Sequence, residues 1–349
     1  MMCACDCAPE KETPMNSDKP LITVRDIAWG RLQAPDLDAM EQFLVEFGMV
    51  RTARTATALY MRGTDPAHHI HVTEKGEPGF ISVAYHAANE NDLLRVAAIP
   101  GAMGIENIDE PGGGKRVRIK EPVNGLMIEV VHGVEVTAAL EVRPRPLNWK
   151  PEALKTLGQP ERLQFGPSRV KRLSHSVFAT PRLKESLRWF RETLGFILTD
   201  EFYQGSIDNV VGSFNRLNRG DDEVDHHVVN CYESPHTGMQ HLSYVVQDVE
   251  DLFVGHNHLK RINRYEHMRG VGYHPPGGQI FDYWLNPWGQ MHEHYFPTQQ
   301  FTASSPANIF SAPDAHDPTS VFANTVARPV PWNGGGSGAV SKAAALLAK

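Results

Sequence analysis

Long apolar runs are missing from this chain of 349 residues. No stretch of 18 consecutive apolar residues occurs, so no membrane-spanning helix is expected. The N-terminus also lacks a basic region followed by an apolar run, and no secretory signal is expected. Positive charge is in deficit, with 34 Lys and Arg against 41 Asp and Glu and a net charge of −7. That balance gives nucleic acid no electrostatic reason to bind. Cysteine is scarce. Three of the four, Cys3, Cys5 and Cys7, lie in the first seven residues, and only Cys231 is internal. A Cys-x-Cys-x-Cys run can bind soft metals, but residues 1–19 read more simply as a disordered leader. One internal cysteine cannot build a disulfide framework, which fits a reducing cytoplasm.

What the chain has in plenty is histidine. There are 17, most of them between His175 and His294, and histidine is the commonest metal ligand and a common acid–base group. Hydrophobic residues make up 41%, enough for a sizeable core, and the length suggests two ordinary domains or one long one.

The chain repeats itself. From Ile22 it reads ITVRDIAWGRLQAPDLDAMEQFLVEFGMV, and from Arg169 RVKRLSHSVFATPRLKESLRWFRETLGFI. In each, a short apolar run predicts a strand, a Pro-containing turn follows, and an amphipathic helix ends at Gly48 or Gly195. Leu37, Met40, Phe43 and Phe47 recur at helical spacing, as do Leu183, Leu187, Phe190 and Leu194. GFISVAYHAANENDLL from Gly79 pairs with GMQHLSYVVQDVEDLF from Gly238, and EPVNGLMIEVV from Glu121 with NPWGQMHEHYF from Asn286. Modules are therefore expected at 20–135 and 168–298. A Pro-rich, charged linker would cover 136–167 and a mostly irregular tail 299–349.

The repeat singles out three residues. His175 shares a strand face with Leu173 and Val177; His241 opens the strand HLSYVV; Glu293 alternates with His292 and His294. Taken singly, each has a bland reading as a core histidine or a surface strand residue. Their equivalents in the first half are Trp29, Ser82 and Glu129. Only the second half thus carries two histidines and a carboxylate, the set with which non-haem iron(II) is bound while positions stay open for substrate and O₂. A closed zinc site would want a fourth ligand, commonly Cys, and Cys231 is at no repeat-equivalent position.

The run RGVGYHPPGGQIFDYWLNPWGQMHE adds a second layer. Gly272, His274, Tyr283, Asn286, Pro287, Gly289 and Glu293 together resemble the C-terminal signature of type I extradiol ring-cleaving dioxygenases of the vicinal oxygen chelate superfamily. Two departures stand out: Asp282 where an apolar residue normally precedes the Tyr, and Gln240 where relatives often have His. The resemblance covers about 130 residues well. It implies an α+β fold of two tandem modules, each of paired βαβββ units whose mixed sheet curls into an open barrel, with the metal in the second. It implies an enzyme that opens a substituted catechol-type aromatic diol beside its hydroxyls with both atoms of O₂, in aromatic-compound catabolism. It implies iron(II), with manganese(II) as the alternative, bound by His175, His241 and Glu293. His227 would be the acid–base group, and His274 and Tyr283 hydrogen-bond donors beside the diol. Arg269 and His236 are weaker substrate-binding candidates. A homo-oligomer is expected by analogy.

Other histidines weigh less. His68, His69 and His71 parallel His226 and His227 but lack partners at Trp29 and Ser82, so they are expected to be vestigial strand residues. His256 and His258 are expected on a solvated helix face. His292 and His294 should face away from Glu293, and His-Glu-His is not the helical zinc motif. Three rival functions stay open. A 4-hydroxyphenylpyruvate-type dioxygenase shares the triad but does not need the His274 and Tyr283 layer. A glyoxalase-type isomerase would draw ligands from both modules. A non-catalytic small-molecule-binding protein of the same fold would lack the triad.

Overall fold

In the computed structural model, residues 19–142 and 165–312 are described. The Cys3–Cys5–Cys7 run, most of the linker and most of the C-terminal tail lie outside them. The first sheet uses β1 (Asp26–Ala34), β2 (Val50–Arg54), β3 (Ala58–Arg62), β4 (His71–Lys75), β5 (Gly79–His86), β6 (Glu106–Asn107), β7 (Lys115–Lys120) and β8 (Met127–His132), with α1 (Leu37–Phe47) and α2 (Glu90–Ala97). Its strand order is β2-β3-β4-β1-β5-β8-β7-β6. Two βαβββ units are therefore joined where β1 pairs antiparallel with β5.

The second sheet repeats the plan. Its first unit has β9 (Val170–Thr180), α3 (Leu183–Leu194), β10 (Ile197–Tyr203), β11 (Val210–Arg216), the short β12 (Val224–Asp225) and β13 (Val229–Glu233). The second unit has β14 (Gly238–Val246), α4 (Val249–Ile262), β15 (Glu266–His274), β16 (Gln279–Leu285) and β17 (Met291–Phe296). The order is β15-β16-β17-β14-β9-β13-β11-β10, and β9 pairs antiparallel with β14. Two further strands, β18 (Gln300–Phe301) and β19 (Asn308–Ser311), follow. β18 pairs with β12 as a separate two-stranded sheet and β19 extends the large sheet beyond β10, so the start of the segment expected to be irregular carries strands.

The helices form where the sequence places them, for local reasons. Asp36 caps α1 by accepting from the Asp38 and Ala39 N–H groups, and Gly48 ends it at φ 115°, a left-handed value that glycine adopts at little cost. Gly195 ends α3 in the same way at φ 79°. The apolar residues at helical spacing are buried in both. They belong to one core that runs through both modules. Polar contacts tie the halves together. His71 Nδ1 stands 2.7 Å from the Tyr244 hydroxyl, and His294 Nε2 donates to the Phe47 carbonyl at 2.7 Å. Among the described residues no helix is long and apolar enough to cross a membrane.

Candidate metal centre and active site

Sheet register brings three donors to one point. On β14, Ser243 has His175 of β9 as its partner on one side and Glu293 of β17 on the other. His241 lies two residues before Ser243, so it shares that face. His175 Nε2 and His241 Nε2 stand 3.1 and 3.2 Å from the same oxygen, Glu293 Oε2. All three side chains are nearly fully buried. Neither His241 Nε2 nor Glu293 Oε2 has a hydrogen-bond partner, so the atoms converge without bonding one another. Donors held at about 2.1 Å from an ion and at right angles are roughly 3 Å apart. The spacing and the unpartnered atoms fit a divalent metal.

The surroundings prepare the right nitrogen. His241 Nδ1 donates to Gln240 Oε1 at 2.9 Å, which leaves Nε2 bare for an ion. His175 Nδ1 lies 3.3 Å from Ser174 Oγ, whose own proton is given to Asp225 Oδ2, with the same consequence. Burial holds the His175 ring below the ordinary histidine range even though Glu293 pulls the other way. Burial alone would raise the Glu293 carboxyl, but the two rings beside it hold it well below the usual range. Neutral imidazole and ionised carboxylate are the forms a cation takes.

A cavity of about 350 Å³ opens on this point, and His227, His274 and Tyr283 line it with the three donors. His227 packs on His175 with ring centroids 4.0 Å apart. Burial, with His175 and His226 beside it, keeps His227 well below the ordinary histidine range. His274 Nε2 and the Tyr283 hydroxyl are 3.2 Å apart, and the Tyr283 ring stands edge-on to His241 at 5.2 Å. Phe202, Val211, Phe214 and Met291 make the apolar walls. Apolar walls with a few converging polar groups are what a flat aromatic ligand needs.

His236 and His256 lie elsewhere than expected from the sequence. His236 does not line the cavity: it is exposed in a turn whose Ser234 hydroxyl accepts its backbone N–H. Arg269 pairs with Tyr283 along β15 and β16, and its side chain lies outside the described residues. His256 does not sit on a solvated face. It and His267 contact opposite oxygens of the buried Asp282 carboxylate, at 3.1 and 2.7 Å, and the Trp284 indole N–H donates to it at 2.6 Å. Asp282, the departure from the signature, thus points away from Tyr283 and clasps α4 to β15. His292 and His294 do face away from Glu293, into Phe43 and Phe47 of α1. Sequence reasoning missed Asn230, Tyr232 and Gln279, which line the cavity with polar atoms that have no hydrogen-bond partner. Alternation along β13 was the one signal available for the first two.

Known proteins resemble this chain in sequence and in fold. Residues 172–289 match the model of the Glyoxalase/Bleomycin resistance protein/Dioxygenase superfamily. That match falls within the second module, which is similar to the superfamily's domain. It is 28% identical over 304 residues to Metapyrocatechase 2 of Cupriavidus necator, covering 85% of this chain and 89% of that one. Its fold is similar to that of a Mn(II)-bound glyoxalase from Novosphingobium aromaticivorans (TM-score 0.73, 20% identity, 90% of this chain and 97% of that one). It is also similar to homoprotocatechuate 2,3-dioxygenase from Brevibacterium fuscum in complex with 3,4-dihydroxyphenylacetate (TM-score 0.69, 18% identity, 86% and 89%).

Proposed function

We propose that this protein is an extradiol dioxygenase that opens a substituted catechol beside its hydroxyls, incorporating both atoms of O₂. The observation that carries the reading is the convergence of His175, His241 and Glu293 at the floor of a cavity also lined by His227, His274 and Tyr283. The likeness to a curated metapyrocatechase over most of both chains supports it.

The three donors would hold iron(II), the metal we favour over manganese(II). When bound, such an ion supplies Lewis acidity to the diol oxygens and passes ring electron density to O₂. The chain's own groups do the rest. Phe202, Phe214 and Val211 hold the ring and exclude water. The Tyr283 hydroxyl and His274 donate to the diol oxygen that carries negative charge, in a buried site where such bonds are strong. His227 takes the proton of the other hydroxyl and later returns it, a task that imidazole suits. Arg269, from β15, is proposed as a contact for the ring substituent.

An isomerase of glyoxalase type is less well supported. At the positions equivalent to His175 and His241 the first module has Trp29 and Ser82, so it cannot supply the matching ligands. The test is reconstitution with Fe(II) without oxygen, addition of a panel of catechols, then admission of O₂. A yellow ring-fission absorbance with one O₂ consumed per diol is expected. No turnover across the panel, with turnover of 2-oxo acids instead, would sink the reading.

A further inference from the structure

His226 is a buried histidine with no part in the chemistry above, and it stands between a buried carboxylate and His227. Asp200 of β10 is 1% exposed. Its Oδ2 lies 2.7 Å from His226 Nε2, and its Oδ1 accepts from the Asn308 side-chain amide at 2.9 Å. His226 Nδ1 is 3.0 Å from His227 Nδ1, with the two rings at right angles. The row runs Asp200, His226, His227, cavity.

We propose that Asp200 and His226 are positioning residues that fix the proton of His227 on Nδ1 and leave Nε2 bare toward the cavity. The reasoning is a count of protons. A carboxylate can only accept, so His226 carries its proton on Nε2. With that one ring proton given to Asp200, His226 Nδ1 is the accepting nitrogen. Two facing ring nitrogens 3.0 Å apart need one proton between them, and His227 Nδ1 must supply it. Its Nε2, across a ring that lines the cavity, is the nitrogen that can take a hydroxyl proton. An aspartate that holds a histidine in one tautomer does the same work in serine hydrolases.

The first module isolates the feature. It keeps the histidine pair in the same geometry: His68 Nδ1 and His69 Nδ1 are 2.9 Å apart, with rings at right angles. His69 packs on Trp29 as His227 packs on His175. Counting from the glycines that end α1 and α3, the residue equivalent to Asp200 is Ala53. Strand pairing agrees: Ala53 faces Tyr60 as Asp200 faces Phe214, and both rings lie against the inner histidine of the pair. The carboxylate is thus present only where the inner histidine stands beside His175, His241 and Glu293.

The proposal rests on His227 acting on the substrate, and the test separates the two. In Asp200→Asn, Asn308 keeps the amide oxygen on its side, so the amide NH₂ faces His226. The row of protons then reverses and His227 Nε2 carries a hydrogen. In the Zn(II)-loaded protein labelled with ¹⁵N-histidine, long-range proton–nitrogen spectra read the tautomer without turnover. We expect a bare Nε2 on His227 in the wild type and an Nε2–H in Asp200→Asn. In the Fe(II) enzyme, kcat should fall roughly 10- to 1,000-fold, with iron occupancy and anaerobic catechol affinity unchanged. Asp200→Ala forces neither tautomer and should retain more kcat than Asp200→Asn, although it is the greater insult to packing. An unchanged tautomer in Asp200→Asn, or a larger loss in Asp200→Ala, would overturn the proposal. The expected tautomer shift with no loss of kcat would instead show that His227 is not the acid–base group.

Discussion

A glutamate stands at the same place in both sheets, and the two are neutralised in opposite ways. Glu129 is met by its own chain. Arg31 Nε donates to Oε1 and Arg116 Nη1 to Oε2, each at 3.2 Å, and Ser82 donates to Oε1. Arg31 also donates to Glu74 and Glu110 at 2.9 and 2.7 Å. Glu293 is met by two histidine nitrogens, and its Oε2 has no hydrogen-bond partner. A buried carboxylate needs a counter-charge. The first module supplies two guanidinium groups of its own, from Arg31 and Arg116. The second offers no guanidinium to Glu293, and on the proposed reading a cation would meet that charge. The two sheets are alike, and they differ in the histidines beside the glutamate, replaced by Trp29 and Ser82 in the first module, and in the arginines that meet Glu129 there.

The contrast can be broken most severely at the glutamates themselves. Glu293→Gln should lose the tightly bound iron and all activity while the fold persists, as metal analysis and circular dichroism would report. Glu129→Gln should keep one iron per chain but lose about 3 kcal/mol of stability, because buried arginines lose a partner. Iron lost from Glu129→Gln and kept by Glu293→Gln would reverse the account. Next in size is His227→Phe, expected to retain iron and catechol binding while turnover falls roughly 10²- to 10⁴-fold; loss of iron there would mean that the ligands are wrongly assigned. A gain-of-site experiment sharpens the point. The double variant Trp29→His, Ser82→His restores both histidines to the first module, yet it should still bind one iron per chain, because Arg31 holds the place of the ion. A second equivalent would show that the guanidinium is no barrier.

The smallest effect concerns pH. Burial, with His68 and Arg31 beside it, pushes His69 down to about 3. It is neutral in the fold, whereas the unfolded chain takes up a proton near pH 6.5. Its contribution is therefore full above 6.5 and is lost as pH falls from there toward 3. Stability should drop through this window, and His69→Phe should flatten the fall by about 1.4 kcal/mol per pH unit. An unchanged slope in urea melts at pH 6 and pH 5 would contradict this.

Much of this was legible in the sequence because the chain carries its own control. Helix ends were readable from Gly48 and Gly195, which are local signals. The donor set was readable because Trp29 and Ser82 showed what a module without it looks like. What escaped depends on contacts between strands far apart in sequence. Asp200 is one acid in a strand, and nothing in its neighbourhood says that it meets His226. His256 looked solvated because Asp282, 26 residues on, is brought to it only by the packing of α4 on β16. The two strands after residue 299 are too short to show a period. His236 was drawn from proximity in sequence alone, and it turned outward.

On the proposed reading one module holds the metal, and the other holds guanidinium groups beside the matching glutamate. Anomalous diffraction at the iron edge, on crystals grown with Fe(II) without oxygen, tests it directly. One peak per chain, within bonding distance of His175, His241 and Glu293, is the expected result. A peak beside Glu129, or none between His175, His241 and Glu293, would contradict it.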